Sequence, residues 1–311
     1  MFWGEKPYHS LNYSLRKRFG EKIYKVSLNG GMTCPNRDGT LDTRGCIFCS
    51  AGGSGDFAAD AALSITEQIE FQKKEVASKF PAKHFIAYFQ AYTNTYAPTC
   101  YLRKIFEEAI AHPDIVGLSI GTRPDCLPKA VLALLAELNQ QKPITIELGF
   151  QTVHEHSATF IRRGYPREHF EKAVADLRKH NIEVVVHTIL GLPNESPADI
   201  LATIHYLNQM DIQGIKLQLL HILSGTDLAA YYETSDFHVM EQDEYIDLLI
   251  TCIEHLSPNI IIHRMTGDGP KDLLIAPLWS SKKRGVLNQI HREFKRRSTW
   301  QGANFTKGEA T

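Results

Sequence analysis

The sequence of 311 residues contains no apolar run that approaches the length of about eighteen residues that a helix needs to cross a membrane. Its first residues, Met-Phe-Trp-Gly-Glu-Lys-Pro, also lack the basic start and the apolar stretch of a secretory signal. These absences exclude the usual sequence features of membrane and exported proteins. We therefore expect a cytoplasmic protein without a membrane partner.

The sequence also lacks the cysteine pattern of a disulfide-stabilised protein. It has six cysteines, of which Cys100, Cys126 and Cys252 are scattered and have no spacing typical of metal ligands. The net charge of -1 indicates no strongly acidic or basic partner for the chain as a whole. With 43% hydrophobic and 22% charged residues, the composition is typical of a globular protein with one large domain and an extension.

The other three cysteines lie in one loop that follows an apolar strand. Cys46 and Cys49 form the motif Cys-Ile-Phe-Cys, and Cys34 precedes them in the same loop. Three thiolates can bind one cluster, and no fourth ligand follows locally, which is typical of a catalytic centre with an open position. A Cys3His zinc site is the alternative, but no histidine follows Cys49 within the usual spacing of about three to five residues.

Short β-branched runs alternate with amphipathic stretches along the chain, which predicts parallel strands linked by helices. Ser64 with Glu67 indicates a capping box, and Ser196-Pro197 indicates a helix start with proline at its first position. Six strand-helix units predict an α/β fold with one open barrel, whose site lies at the carboxyl ends of the strands. The predicted strands are 22–28, 84–90, 115–120, 144–150, 183–190 and 214–220.

These motifs resemble those of radical S-adenosylmethionine enzymes. The cysteine spacing of eleven and then two residues is similar to the branch of the Elongator catalytic subunit, which shares Thr-Arg-Pro-Asp at 122–125. Gly-Leu-Pro at 191–193 also resembles the oxygen-independent coproporphyrinogen oxidases, and the likeness covers residues 20 to 230. The resemblance implies an open partial (βα)6 TIM-like barrel with N-terminal and C-terminal extensions. We divide the chain into a basic arm (1–20), a core barrel (21–235) with the cluster loop 34–49, and a helical, basic extension that caps the barrel (236–311).

The same resemblance implies two cofactors and a set of site residues. Cys34, Cys46 and Cys49 would hold a [4Fe-4S] cluster, and S-adenosylmethionine would bind its open iron through the methionine end and yield a hydrogen-abstracting radical. A reduced flavodoxin or ferredoxin would supply the electron. Lys216, Gln218 and His221 are the catalytic candidates. The candidates for cofactor binding are Thr93, Asn94, Arg123, Glu147, Gln151, Arg163 and His187.

Alternatives remain open for several of these residues. Thr93 and Asn94 replace a Gly-Gly-Glu-like segment of the related enzymes and are also compatible with a turn that ends a strand. Arg123 is compatible with a simple turn contact to Asp125. His187 is compatible with a satisfied core histidine.

Two segments have a local excess of positive charge. Residues 282–297 contain seven basic side chains and one glutamate, a net charge of +6, and the amino-terminal arm contains Arg16, Lys17 and Arg18. Basic and aromatic residues also mix in 263–269 and at Trp279 and Trp300, as they often do in RNA contacts. A solvated helix face and a packed cap over the barrel are the alternatives.

The leading hypothesis for the substrate is a wobble uridine of tRNA, with a carboxymethylaminomethyl-type side chain that is remodelled by hydrogen abstraction. A coproporphyrinogen-oxidase-like enzyme for a small carboxylated substrate is the second hypothesis. The third is a non-catalytic iron-sulfur or RNA-binding scaffold.

Overall fold

A computed structural model describes residues 2–53, 55, 58–267 and 269–306. The strands are, in chain order, β1 (Tyr24–Leu28), β2 (Phe85–Phe89), β3 (Ile115–Thr122), β4 (Ile144–Gln151), β5 (Glu183–Leu190), β6 (Gly214–Leu219), β7 (Ile222–Leu223), β8 (Ile261–Arg264) and β9 (Leu274–Ala276). The α-helices are α1 (Leu11–Phe19), α2 (Ile65–Ala77), α3 (Thr99–Ala111), α4 (Lys129–Asn139), α5 (Glu155–Phe160), α6 (Arg167–Lys179), α7 (Pro197–Asn208), α8 (Asp227–Thr234), α9 (Gln242–His255) and α10 (Lys283–Arg297).

Seven of these strands form one parallel sheet in the order β1-β2-β3-β4-β5-β6-β8, curled into a half-barrel. The six predicted strands are therefore confirmed, with β3 reaching Thr122. The seventh strand, β8, was not predicted: it lies in the segment for which we expected a helical extension, and it pairs with β6. β7 and β9 form a small antiparallel pair outside the main sheet.

The two faces of the half-barrel differ in character because successive side chains of a strand point to opposite sides. In β4, Ile146, Leu148 and Phe150 belong to the main apolar core with the surrounding helices, whereas Glu147 and Gln151 lie on the other face. The same alternation places polar side chains of β1, β3 and β6 inside the half-barrel. The concave face is thus polar, which is unusual for a parallel sheet and indicates a ligand-binding interior.

The amino-terminal segment closes the lower end of the half-barrel. Ser10 bridges Ile262 of the edge strand β8, and the Ile262 N–H donates to the His9 carbonyl at 2.7 Å. α1 then leads to β1, and on the way Arg18 forms a salt bridge of 2.9 Å with Glu183, the first residue of β5. α1 therefore crosses the amino-terminal ends of the strands, opposite the loops that follow their carboxyl ends.

Two predicted helix starts are confirmed by their capping contacts. Ser64 and Glu67 form a capping box at the start of α2. Ser196 forms a second box with Asp199, and Pro197 occupies the first turn of α7. These side chains satisfy backbone N–H groups that have no partner within the helix.

The carboxyl-terminal segment packs against the barrel. Trp279 packs against Tyr245 with the rings tilted by 40° and donates from its indole nitrogen to the Met240 carbonyl at 3.1 Å, and Arg264 belongs to β8. Trp300 remains 38% exposed. The packed-cap alternative is thus favoured for the start of the tail; Asp268, part of that motif, lies outside the described residues.

Within the described residues, no helix has the length and apolar character that crossing a membrane requires.

Candidate active site

A cavity of about 290 Å³ opens at the carboxyl ends of the strands, as the barrel geometry predicts. Its wall also includes Tyr88, Arg264, Gly121 and Gly149. Of the predicted site residues, Asn94 is absent from the lining. Those that line the cavity are Cys34, Cys46, Cys49, Thr93, Arg123, Glu147, Gln151, Arg163, His187, Lys216, Gln218 and His221.

The cysteine loop, residues 34–49, is anchored at the rim of this cavity by the apolar residue between its paired cysteines. Ile47 is buried in a second apolar cluster with Ile161, Leu220 and Leu228. Its backbone N–H donates to the Ile161 carbonyl at 3.3 Å, and its carbonyl accepts from the Leu228 N–H at 2.9 Å. The isoleucine of Cys-Ile-Phe-Cys therefore fixes the loop, while the cysteines on both sides face the cavity.

The three cysteine sulfurs are close enough for their charges to interact. Burial raises the pKa of Cys46 to about 12, and the charges of Cys49 and Cys34 raise it further while Arg123 opposes them. Among the described residues, the three sulfurs do not form a group within 4.8 Å of one another. Ligands of one tetrahedral zinc would lie about 3.8 Å apart, given Zn–S bonds of about 2.3 Å. The sulfurs as placed therefore do not fit the ligand distances of a single zinc ion.

Asn36 and Arg37 hold the backbone around the cysteines. The Asn36 amide donates to the Arg162 carbonyl at 2.7 Å and approaches the Cys46 sulfur at 3.6 Å. The Arg37 guanidinium donates to the carbonyls of Cys49 and Ser50 at 2.8 and 2.7 Å. Donors next to the sulfurs and a nearby cation suit a site that carries several thiolates.

The upper part of the cavity contains polar atoms that lack a protein partner. The Thr93 hydroxyl and the Gln151 carbonyl oxygen are buried and make no hydrogen bond within the described part of the chain. Asn94, which does not line the cavity, donates to the Gly121 carbonyl at 2.9 Å, and its own side-chain oxygen is also buried without a partner among the described residues. Buried polar atoms without partners are costly, so these positions are suited to a polar ligand.

Gln151 has a backbone conformation that is rare for a residue with a side chain. Its φ is +67°, and the pairing of β4 with β5 shifts between Gly149 and Gln151. The Gln151 side chain folds back towards Gly149, where an added Cβ would lie 2.9 Å from the Gln151 amide nitrogen. This local strain at the cavity indicates a functional constraint on Gln151.

The two predicted arginines bind protein groups at the cavity wall. Arg123 forms a two-point ion pair with Asp125, at 2.9 and 2.8 Å, and donates to the Arg163 carbonyl at 3.0 Å. Arg163 donates to the carbonyls of Phe150, Thr152 and Tyr165 and pairs with Glu155. The turn contact of Arg123 is thus present, and both arginines position the loop beside the cysteines; their contact with a cofactor stays a prediction.

Glu147 is the centre of a polar network at the bottom of the cavity. Its carboxylate is buried and accepts from Lys25 and Ser119 at 2.6 Å each, from His187 at 2.7 Å, and from Lys216. Four donors occupy its oxygens, so Glu147 links β4 to strands β1, β3, β5 and β6. Its contact with a cofactor stays a prediction. We call the side chains of Lys25, Glu147, His187 and Lys216 the floor of the cavity.

Burial changes the titration of the floor residues. It lowers the pKa of Lys216 to about 7, although Glu147 opposes this, and with Lys216 it lowers the pKa of His187 to about 4. Burial alone would raise the pKa of Glu147, but the charges of Lys216 and Lys25 hold it well below its usual value. At neutral pH the floor therefore contains an ionised carboxylate and a neutral imidazole.

The three catalytic candidates have different surroundings. Lys216 lines the floor and donates to the Tyr88 hydroxyl at 3.1 Å besides Glu147. Gln218 lines the cavity two residues further along β6. His221 approaches the Ser280 hydroxyl at 3.0 Å, and a Cβ on Gly267 would lie 2.2 Å from its ring. His221 therefore packs against the loop after β8, and the catalytic roles of all three stay predictions.

Sequence reasoning missed Lys25, Ser119 and Tyr88. Lys25 lies on the face of β1 opposite to the buried Val26 and Leu28, which is a signal for an interior position. Ser119 carries the same signal in β3. Tyr88 resembled a core aromatic because it lies between buried residues of β2.

Comparisons with known proteins identify the class. Residues 43–207 match the model of the radical SAM superfamily, and residues 212–296 match that of the Radical_SAM C-terminal domain. The chain therefore belongs to the radical SAM superfamily, whose cofactors are a [4Fe-4S] cluster and S-adenosylmethionine.

Three particular proteins show how far the likeness extends. The chain is 46% identical to YtqA from Bacillus subtilis (strain 168) over 98% of this chain and 95% of YtqA. The structure of Elp3 from the archaeon Methanocaldococcus infernus, with an N-terminal deletion, has a TM-score of 0.68 at 13% identity; it covers 90% of this chain, which spans 64% of that chain. The tRNA uridine(34) acetyltransferase of Dehalococcoides mccartyi (strain CBDB1) is 26% identical over 59% of this chain and 40% of its own length.

The cavity fits these cofactors. Three cysteines face it from one loop, as a cluster with one open iron requires. The unpartnered oxygens of Thr93 and Gln151 match the amino and hydroxyl groups of S-adenosylmethionine.

Proposed function

We propose that this radical SAM enzyme acts on a wobble uridine of tRNA and remodels a carboxymethylaminomethyl-type side chain by hydrogen abstraction. The observation that carries the enzyme part is a single cavity that combines three rim cysteines, unpartnered acceptors and a polar floor. The cofactors, when bound, supply the radical chemistry. The protein residues around the cofactors bind them, orient them and shield them from water.

The protein groups have separable tasks in this proposal. Thr93 and Gln151 orient the cofactor at the strand ends, because their oxygens have no other partner. Arg123 and Arg163 fix the loop that supports the cysteines. Ile189 and Leu220 are buried beside the cavity and limit the access of water. A reduced flavodoxin or ferredoxin is the proposed electron donor.

The tRNA part is supported by likeness and by charge. The acetyltransferase relative acts, by its name, on uridine 34 of tRNA. In residues 282–297, Arg296 and Arg297 are paired with Glu293, and Arg297 also with Asp247. The other basic residues of the segment are exposed at Lys282, Lys283, Arg284, Arg292 and Lys295. Such a surface suits a phosphate backbone.

The class is tested by oxygen-free reconstitution of the protein with iron and sulfide, addition of dithionite and S-adenosylmethionine, and quantification of 5′-deoxyadenosine. Cys46→Ala should lose cluster and product, whereas Cys100→Ala, which alters an exposed cysteine outside the loop, should retain both. Absence of product from a fully loaded cluster would reject the enzyme and favour the scaffold hypothesis.

The substrate is tested by adding tRNA that carries the carboxymethylaminomethyl group. Stimulated product release and a mass change in the nucleoside are expected. Lys282→Glu with Arg284→Glu should weaken tRNA binding in a salt-dependent way. Lys74→Glu with Lys104→Glu, an equal charge change at exposed positions of α2 and α3, should not. Release of 5′-deoxyadenosine that does not depend on tRNA would still agree with a radical SAM enzyme. It would favour a small carboxylated substrate, to which Lys216 in the cavity is also suited.

A further inference from the structure

The floor of the cavity has more positive than negative charge. Lys25 and Lys216 both contact the single carboxylate of Glu147, so the three groups together carry a charge of +1 when Lys216 is protonated. Glu147 is the one acidic side chain among the described residues that line the cavity. The positive charge of Arg264, in the same wall, also acts on Lys216. A ligand with a negative group would balance the floor.

The two lysines differ in the donors that they have left. Lys25 donates to Glu147 and Ser119 and lies over the Tyr88 ring at 4.6 Å. Lys216 donates to Glu147 and to the Tyr88 hydroxyl, and its third N–H has no partner within the described part of the chain. Because Lys216 lines the cavity, this N–H is available to a ligand.

Two neighbours complete the set of polar groups. Gln218 follows Lys216 on the same face of β6, and its amide makes no hydrogen bond with any described residue. His187 is opposite Lys216 in the pairing of β5 with β6. Since the imidazole is neutral and its Nε2 donates to Glu147, its Nδ1 is left as an acceptor in a ring that lines the cavity. The floor and the adjacent Gln218 thus offer two donors, on Lys216 and Gln218, beside one acceptor on His187.

We propose that the floor binds the acidic end of the substrate, with a carboxylate on Lys216 and Gln218 and an adjacent N–H group on His187. The inference deepens the proposed function and rests on it, because it names the reacting end of the same substrate. A carboxymethylamino group has this combination, whereas an unmodified uridine has no carboxylate. The methionine end of S-adenosylmethionine belongs at the rim with the cysteines, so it does not occupy the floor.

The test compares two small probes that differ in one group: the uracil base with a 5-carboxymethylaminomethyl substituent and its carboxamide. Saturation-transfer NMR measures the dissociation constants on the reconstituted protein with S-adenosylmethionine and no reductant. The acid should bind about tenfold more tightly than the amide, as for a hydrogen bond to a charged group. Equal binding of both probes, or displacement of the acid by S-adenosylmethionine, would overturn the assignment.

Variants locate the contact. Lys216→Met should lose the preference for the acid, Lys216→Arg should retain part of it, and the exposed control Lys104→Gln should retain all of it. Because Lys216→Met leaves Glu147 with one fewer partner and can impair folding, Gln218→Glu is the second variant; it should weaken the acid more than the amide. Unchanged preference in Gln218→Glu or a folded Lys216→Met would reject the subsite. A failure of the proposed function is measured independently of this binding preference, as loss of 5′-deoxyadenosine release.

Discussion

Glu147 and Lys216 form an ion pair across the interior of the half-barrel, from β4 to β6, and both side chains are buried. A buried charge without its partner is strongly destabilising, whereas a complete network is not. The pair therefore has a structural task, which is to hold the ammonium group of Lys216 at the bottom of the cavity.

Replacing Glu147 tests this task. Glu147→Gln should lower the free energy of unfolding by about 3–5 kcal/mol, because Lys25 and Lys216 lose their shared negative partner. Urea denaturation measures the change. Glu137→Gln, which removes an exposed carboxylate from Arg103, should change the free energy of unfolding far less, because water screens an exposed ion pair. Equal effects of the two variants would contradict a central role for Glu147.

The His187 imidazole should make stability depend on pH in the acid range. Burial and the charge of Lys216 lower its pKa from 6.5 to about 4, while Glu147 opposes them and Arg264 adds to them. The unfolded chain binds this proton at higher pH than the folded protein. The contribution of the neutral His187 imidazole to the free energy of unfolding is therefore complete above pH 6.5 and is lost as the pH falls through 4. Between these two pH values the free energy of unfolding of the wild type should fall by about 3 kcal/mol more than that of His187→Gln.

Two measurements check the behaviour of His187. NMR titration of its ring protons should give a midpoint well below the ordinary histidine value of 6.5. Urea unfolding at pH 6.5 and pH 4 should separate wild type from His187→Gln by the stated amount. A midpoint near 6.5 would show that the imidazole is solvated and would remove its assignment as a neutral acceptor.

The sheet and its interior face could be predicted because they depend on local patterns. β4 shows this: its alternation indicated that Glu147 and Gln151 share one face, which the structure confirms. β8 could not be predicted in this way, because it has four residues and its pairing with β6 shifts within the strand. The partners of Glu147 come from four other strands, and only the closure of the half-barrel brings Lys25 to it.

The arginines show the same limit. The motif Thr-Arg-Pro-Asp suggested a cation for a ligand, and Asp125 indeed binds Arg123 as the alternative required. The sequence did not show that Arg163 donates to the carbonyls of Phe150 and Thr152. Every residue has a backbone carbonyl, so the residue type does not indicate which carbonyl accepts a hydrogen bond. The distinction between holding a loop and holding a ligand needed the structure.

Asn36 should tune the electron affinity of the cluster site. Its amide approaches the Cys46 sulfur at 3.6 Å, and such donors favour the more negative, reduced state. Asn36→Leu should therefore lower the reduction potential, as measured by a redox titration followed by electron paramagnetic resonance. Asn208→Leu is the matched control, because it removes hydrogen bonds between a side-chain amide and the backbone of His255 and Ser257, far from the cysteines. An unchanged potential in Asn36→Leu would exclude this role.

Gln151 provides a test in which stability and binding change in opposite directions. Its φ of +67° is unfavourable for any residue with a Cβ, whereas glycine adopts it freely. Gln151→Gly should therefore be more stable than Gln151→Ala by about 1 kcal/mol in urea unfolding. Both variants lack the buried oxygen that has no protein partner, so both should bind S-adenosylmethionine more weakly in equilibrium dialysis. If Gln151→Ala bound the cofactor as tightly as wild type, the strained backbone would have to serve another purpose than presenting this side chain.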